Sequence, residues 1–150
     1  MEDATTRLLG LDGLAVIAVA DGPHGPVVDL VTADERARRC PECGTAARRS
    51  KGRRVTRPRD LPVGGRPTRL RWFKRRWRCD KPGCARASFT EAVTAVPARK
   101  RLTGRLRSAA GAAVADGGRT IMQAARDLDM SWPVVAAAFT AHAAAVLPSM

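Results

Sequence analysis

Four cysteines carry the clearest chemical signal in this chain of 150 residues. They fall as Cys40-Pro-Glu-Cys43, then 35 residues, then Cys79-Asp-Lys-Pro-Gly-Cys84. Two short-spaced pairs let each segment turn tightly and aim two thiolates at one point, and four converging thiolates match the tetrahedral preference of zinc. Pro41, Gly44, Pro82 and Gly83 lie in or beside the pairs, where the backbone must turn its N–H groups toward sulfur. The pattern predicts one structural Zn2+ ion on Cys40, Cys43, Cys79 and Cys84, with no open coordination position for catalysis. The alternatives are a redox pair and unrelated free thiols. A redox Cys-x-x-Cys belongs at the start of a helix in a βαβ setting, whereas this one sits between a hairpin pattern and a basic loop. His24 and His142 read as a turn residue and a helix residue and are assigned to no metal.

The second signal is charge. The chain holds 27 Lys and Arg against 14 Asp and Glu, a net of +13. Between Arg36 and Arg107 lie 24 of those basic residues and only 4 of the acidic ones, so both flanks are net acidic. A localised block of this kind is the footprint of a polyanion partner, here expected to be a nucleic acid. Arg outnumbers Lys 23 to 4, which a GC-rich genome also produces, yet such bias does not empty one segment of acids and leave them on both sides. The core is expected to be weak: 27 residues are alanine and 4% of the chain is aromatic, and small side chains contribute little burial free energy each. Bound zinc would compensate, because structural sites contribute about 10–16 kcal/mol of apparent binding free energy that appears as folding free energy.

Met1-Glu2-Asp3 and an apolar run broken by Asp12 and Gly13 do not form a secretory signal, so a cytoplasmic location is expected, nucleoid-associated when bound in a bacterium. Reducing surroundings favour metal over disulfide for the cysteines. Met130 to Met150 lacks charge, but Pro133, Thr140, His142 and abundant alanine leave no strongly apolar span of about 20 residues. No membrane partner is expected.

These groups need elements to position them, and the fold class expected is α+β. Residues 1–35 read as an N-terminal β-hairpin segment, with Leu14–Ala20 and Val27–Val31 joined by the turn-rich Asp21–Pro26. Residues 36–95 read as a small β-rich zinc ribbon. Within it Arg48–Arg66 is expected to be a basic loop with one short strand near Arg54–Arg57, and Thr68–Cys79 a strand of imperfect alternation. Residues 96–150 read as a three-helix, helix-turn-helix unit. The first helix has Thr103 as a cap and Gly117-Gly118 as a stop; the second opens on the capping box Thr120-Ile-Met-Gln123. The third starts near Ser131, with Val135, Phe139, His142 or Ala143, and Val146 on its apolar face, and reaches Leu147.

The order of these motifs carries a resemblance. A Cys-Pro-x-Cys-Gly knuckle, an Arg-rich loop with Asp60-Leu61-Pro62, a strand ending Arg75-Arg76-Trp77-Arg78-Cys79, then Cys84 followed by Phe89-Thr90-Glu91, and last a helix-turn-helix resemble the N-terminal half of insertion-sequence transposases of the ISL-three family. Met130-Ser-Trp-Pro-Val-Val135 keeps the Ser, the Trp and the last Val of that family's turn into the third helix, with Val134 where the family has Thr. The resemblance implies binding to the terminal inverted repeats of a mobile element, with a second copy or a full-length transposase as further partners. In that family a nuclease domain with a DDE triad follows. After Glu91 the only acids here are Asp116, Asp127 and Asp129, so no enzyme activity is expected, and a truncated transposase is the simplest account. The same fold without a nuclease also suits a transcriptional regulator or transposition inhibitor, and an RNA-binding ribbon is the remaining alternative.

Candidate DNA contacts are Arg53, Arg54 and Arg57 in the basic loop, Arg71, Arg75 and Arg76 in the following strand, and Arg99, Lys100 and Arg101 before the first helix. Ser131, Trp132 and Thr140 are the candidates on the third helix, which offers no Arg, Asn or Gln for bidentate base contacts. Affinity is therefore expected from the basic ribbon and only modest specificity from that helix. The competing reading of the last third is a three-helix packing or dimer unit with Trp132 in its core.

Overall fold

The structure, a computed structural model, describes residues 2–146. The expected outer segments include residues 1 and 147–150, and the expected third helix Leu147; these lie outside the described residues. The chain runs α1 (Ala4–Leu9), β1 (Leu14–Gly22), β2 (Gly25–Thr32), a 3-10 turn (Glu35–Arg38), β3 (Ser50–Thr56), β4 (Arg59–Val63), β5 (Arg66–Arg78), β6 (Ser88–Thr90), α2 (Gly104–Ala115), α3 (Ile121–Asp127) and α4 (Trp132–Val146). It is a mixed α+β fold. The predicted hairpin forms as β1 and β2, and the predicted helices open where their caps place them.

Six strands make one sheet in the order β1-β2-β5-β3, with β4 and β6 also paired to β5. The hairpin and the ribbon thus share a sheet through β2 and β5, which run parallel from Val27 opposite Arg69 to Val31 opposite Phe73. The basic segment 48–66, expected as a loop with one short strand near Arg54–Arg57, has that strand as part of a longer one and a second strand where loop was expected. It is an antiparallel pair of strands on β5, with Arg53 opposite Arg75 and Arg54 opposite Lys74 on β3, and Arg59 opposite Arg69 on β4.

β5 spans 13 residues, about 40 Å of extended chain, and its imperfect alternation has a structural cause. Thr68, Leu70 and Trp72 are buried on one face, where Leu70 and Trp72 join Leu11, Leu14, Val16, Val28, Leu30, Val93 and Val96. Further along, the opposite parity is buried: Trp77 packs with Cys40, Ala47 and Phe89 beside the remaining cysteines. One strand therefore serves two cores on its two faces. The indole N–H groups are both satisfied, Trp72 donating to Thr32 Oγ1 at 2.9 Å and Trp77 to Glu91 Oε2 at 3.2 Å.

A third core, formed by Leu106, Ala110, Ala124, Met130, Val135 and Ala138, holds the three C-terminal helices together. Thr103 caps α2 by accepting from Leu106 N, and Thr120 and Gln123 form the reciprocal box on α3. On α4 the predicted Val135 is buried, together with Ala138, which was not expected; Phe139, His142 and Ala143 are half-buried, and Val146 is exposed. Close approach to α2 at Gly111 selects this face: a Cβ on Gly111 would lie 2.6 Å from Ala138 O. Trp132 is 53% exposed, which removes the alternative that seats it in the core.

The sheet and the helices are joined by a buried carboxylate. Asp60 on β4 accepts from Thr103 Oγ1 at 2.8 Å and from Arg105, whose Nη1 also donates to Leu9 O at 2.6 Å. Burial pushes the Asp60 carboxyl up, but Arg105, the Leu61 N–H and Thr103 outweigh it and hold it below the usual carboxylate range. Arg59 adds a second tie, donating to Leu128 O at 3.1 Å and pairing with Asp129.

Two outcomes follow. Gly111→Ala overpacks the α2–α4 crossing and should cost about 1–3 kcal/mol in urea unfolding; an unchanged midpoint contradicts the close approach. Asp60→Ala removes the acceptor of the Thr103 hydroxyl and the counterion of Arg105 and should cost about 3 kcal/mol. The depressed carboxyl stabilises fully above its unfolded value of about 3.9 and loses that contribution as pH falls through the folded value. The gap between wild type and variant should therefore close in acid.

Candidate metal centre and nucleic-acid interface

The two knuckles fold as local turns before any metal is considered. Gly44 N donates to Cys40 O at 2.8 Å, Cys40 N to Thr45 O at 3.0 Å, and Cys84 N to Lys81 O at 3.3 Å. Gly44 and Gly83 take left-handed φ values of 73° and 83°, which a side chain at either position would strain. The second knuckle is docked on the sheet: Cys79 N donates to Ala87 O at 3.1 Å, and Trp77 pairs with Phe89 across β5 and β6.

These turns bring the four sulfurs within 4.8 Å of one another. Cys40 and Cys84 Sγ are 3.9 Å apart and Cys43 and Cys79 Sγ 3.6 Å. A tetrahedron with Zn–S bonds of about 2.3 Å has S···S edges of about 3.8 Å, whereas a disulfide needs about 2.05 Å. The separations fit zinc and not a bridge. Cys40 is 2% exposed, and the other three are half-buried.

The thiols cannot all ionise unaided. The Thr45 side chain and backbone, as hydrogen-bond partners, pull the Cys43 thiol down to about 6 despite partial burial. Cys79 goes the other way. The Lys81 N–H favours its thiolate, but burial and the neighbouring sulfurs outweigh that and push it up to about 12. Cys84 is raised for the same reasons, against the Arg86 N–H. A second thiolate beside the first is unfavourable until a dication is shared, which is what zinc supplies when bound.

Glu91 supports the centre from behind. It is 6% exposed and accepts from Arg75 N at 2.8 Å and from Trp77 Nε1. Its carboxylate fills the stretch of β5 between the end of the β2 ladder at Phe73 and the start of the β6 ladder at Arg76. Arg38 lies over the Trp77 ring, 4.6 Å from its centroid. The sequence marked Phe89-Thr90-Glu91 and Asp60-Leu61-Pro62 as part of a motif without assigning Glu91 or Asp60 a role. Two acids inside a strongly basic segment were the available signal.

The candidate DNA contacts divide by their partners. Arg53 and Arg54 are exposed on β3, Arg57 is exposed just beyond it, and Arg75 is exposed on β5. Arg76 is half-buried, with an Nε that has no partner. Arg71 is held by Asp29 through two bonds of 2.6 and 2.7 Å, and its guanidinium keeps the Asp29 carboxyl below its usual range. Arg99, Lys100 and Arg101 are exposed on the segment leading to α2, Arg99 with a left-handed φ of 62°. Ser131, Trp132 and Thr140 are exposed, and the Thr140 hydroxyl donates to Ala136 O one turn back. Trp72 and Trp77 are core residues, 1% and 3% exposed, and present no surface for bases.

Residues 36–84 match the family model described as the zinc-finger of transposase IS204/IS1001/IS1096/IS1165. The matched segment begins in the 3-10 turn and ends on the fourth cysteine. Cys40, Cys43, Cys79 and Cys84 thus fit a single structural zinc ion, in a segment similar to that transposase zinc finger. No curated protein matches the chain, and no solved structure does. Among the described residues no helix is long and apolar enough to cross a membrane.

Metal removal checks the site. The purified chain should release one zinc per molecule to a chelator, and Cys43→Ser should retain little. Stripping under reducing conditions should lower the melting midpoint and change the emission of Trp77. A chain that loses its zinc with both signals unmoved has a site that plays no part in folding.

Proposed function

We propose that this chain binds double-stranded DNA at the terminal inverted repeats of an insertion sequence, as the end-recognition part of a transposase. The observation that carries the reading is a zinc centre matched to transposases, set in a sheet where Arg53 and Arg54 on the exposed strand β3 and Arg75 on β5 are exposed without acidic partners among the described residues. Zinc fixes the sheet, and the exposed Arg residues and Arg99–Arg101 supply phosphate contacts. In this reading α2, α3 and α4 act as a helix-turn-helix. The capping box on α3 and the exposure of Ser131 and Trp132 at the entry to α4 support that role.

These residues contribute binding and not strand cleavage. Asp116 caps the end of α2, while Asp127 and Asp129 lie at the end of α3; they are partnered by His142, Arg119 and Arg59 respectively. Two-metal cleavage calls for carboxylates that converge.

Fluorescence anisotropy with a duplex carrying the element's end tests the proposal. With about 6–10 phosphates neutralised, affinity should fall by roughly 10³–10⁵ between 50 and 200 mM salt. The end sequence should also outcompete scrambled duplex and hairpin RNA. A flat salt dependence, or preference for the RNA, overturns it.

A further inference from the structure

The placement of cations on β3 and β5 is unfavourable for folding and calls for an explanation. Arg53 lies directly opposite Arg75, and Arg54 directly opposite Lys74. Like charges facing each other across a β-ladder are destabilising. Two such pairs occur in succession on the edge of the sheet, and none of the four side chains makes an ion pair among the described residues. Several other arginines do have acids: Arg49 pairs with Asp80, Arg59 with Asp129, Arg66 with Asp21, Arg71 with Asp29 and Arg105 with Asp60. Burial lowers the Lys74 pKa, and the neighbouring charge of Arg54 lowers it further. An edge strand protected against self-association needs charge but not charge aligned in pairs. A local rule broken in this way points to a partner that supplies the missing countercharge.

The shape narrows the partner. β3 is exposed from Ser50 to Val55. Opposite it, on the other edge of β5, the β2 ladder ends at Phe73 and the β6 ladder begins at Arg76. Over Lys74 and Arg75 the sheet is therefore reduced to a two-stranded ribbon backed by Glu91. The major groove of B-DNA admits a two-stranded ribbon, while that of A-form RNA is too narrow. The two faces of the ribbon differ. Lys74 lies over Trp72, with its Nζ 4.1 Å from the ring centroid, and is half-buried. Arg53 and Arg75 open onto a cleft of about 260 Å³ with Phe73 on its floor and Asp34, Glu35 and Glu91 among its lining. Asp34 is already held by Arg36, and Glu91 by Arg75 N and Trp77 Nε1, which leaves the exposed Arg53 and Arg75 guanidiniums for an outside acceptor such as a base edge.

Resting on the DNA-binding function above, we propose that the β3–β5 ribbon is the sequence-reading element. It enters the major groove with Arg53 and Arg75 toward the base edges, where a guanidinium binds guanine O6 and N7. The α4 helix, whose exposed entry carries Ser131 and Trp132, is then secondary for sequence preference.

Selection from a random duplex pool, read out for wild type, Arg53→Ala, Arg75→Ala, Arg54→Ala and Trp132→Ala, tests this. Wild type should enrich a motif containing guanine. Arg53→Ala and Arg75→Ala should each lose roughly 5- to 150-fold in affinity for it and relax preference at a guanine position. Arg54→Ala should weaken all duplexes alike, and Trp132→Ala should keep the motif. Guanine N7 methylation in the motif should block wild-type binding. Retained preference in both Arg53→Ala and Arg75→Ala, or loss of it in Trp132→Ala alone, overturns the ribbon assignment while leaving DNA binding intact. Failure of wild type to enrich any duplex instead overturns the function on which it rests. Zinc content and circular dichroism of each variant establish that it is folded.

Discussion

Four thiols held within 4.8 Å are the constraint on which the ribbon depends. Each knuckle is an ordinary hydrogen-bonded turn, but the two meet only where their charge is neutralised. The apolar cluster around them is small: Cys40, Ala47, Trp77 and Phe89 are its buried members. Such a cluster cannot offset the entropy of ordering two knuckles and a three-residue strand. Zinc binding can, since its free energy becomes folding free energy. The metal is therefore part of the core at this end of the sheet.

β5 carries that rigidity across the molecule. One end packs against the hairpin through Leu70 and Trp72, and the other against the metal centre through Trp77. β4 turns back along it and presents Asp60 to Thr103 and Arg105 on the helical unit. Three modest cores thus act together, linked by a long strand and one buried ion pair. This arrangement meets the problem posed by an alanine-rich chain, in which no single core is large. It also keeps the exposed edge of the sheet, with its unpaired cations, in a fixed shape.

The parts legible in the sequence were those with local signals. Cysteine spacing located the metal site, turn residues at Asp21–Pro26 located the hairpin, and Thr103 and Thr120 located helix starts. What stayed hidden depended on tertiary context. β3 has no buried face, so it lacks the alternation that marks a strand, and only its end near Arg54–Arg57 was legible as one. α1 has only six residues and is fixed by the Asp3 cap and by Thr6, whose hydroxyl accepts from Val16 N. The buried face of α4 was obscured by alanine on every side and is set by the small residue Gly111 on the neighbouring helix. Glu91 and Asp60 sat within a recognisable motif, but their roles emerge only when distant segments meet. Among the candidate DNA contacts, composition alone did not separate Arg71, which Asp29 neutralises, from Arg53 and Arg75, which are left without an acid.

Residue-resolved hydrogen exchange on the zinc-loaded and zinc-stripped chain tests the central claim most directly. If the metal is the core of this end of the sheet, stripping should abolish protection of the amides from Arg75 to Cys79 and of Phe89 and Thr90, while Leu106 to Val114 of α2 stays protected. Equal protection of β5 and β6 in both forms would contradict the account.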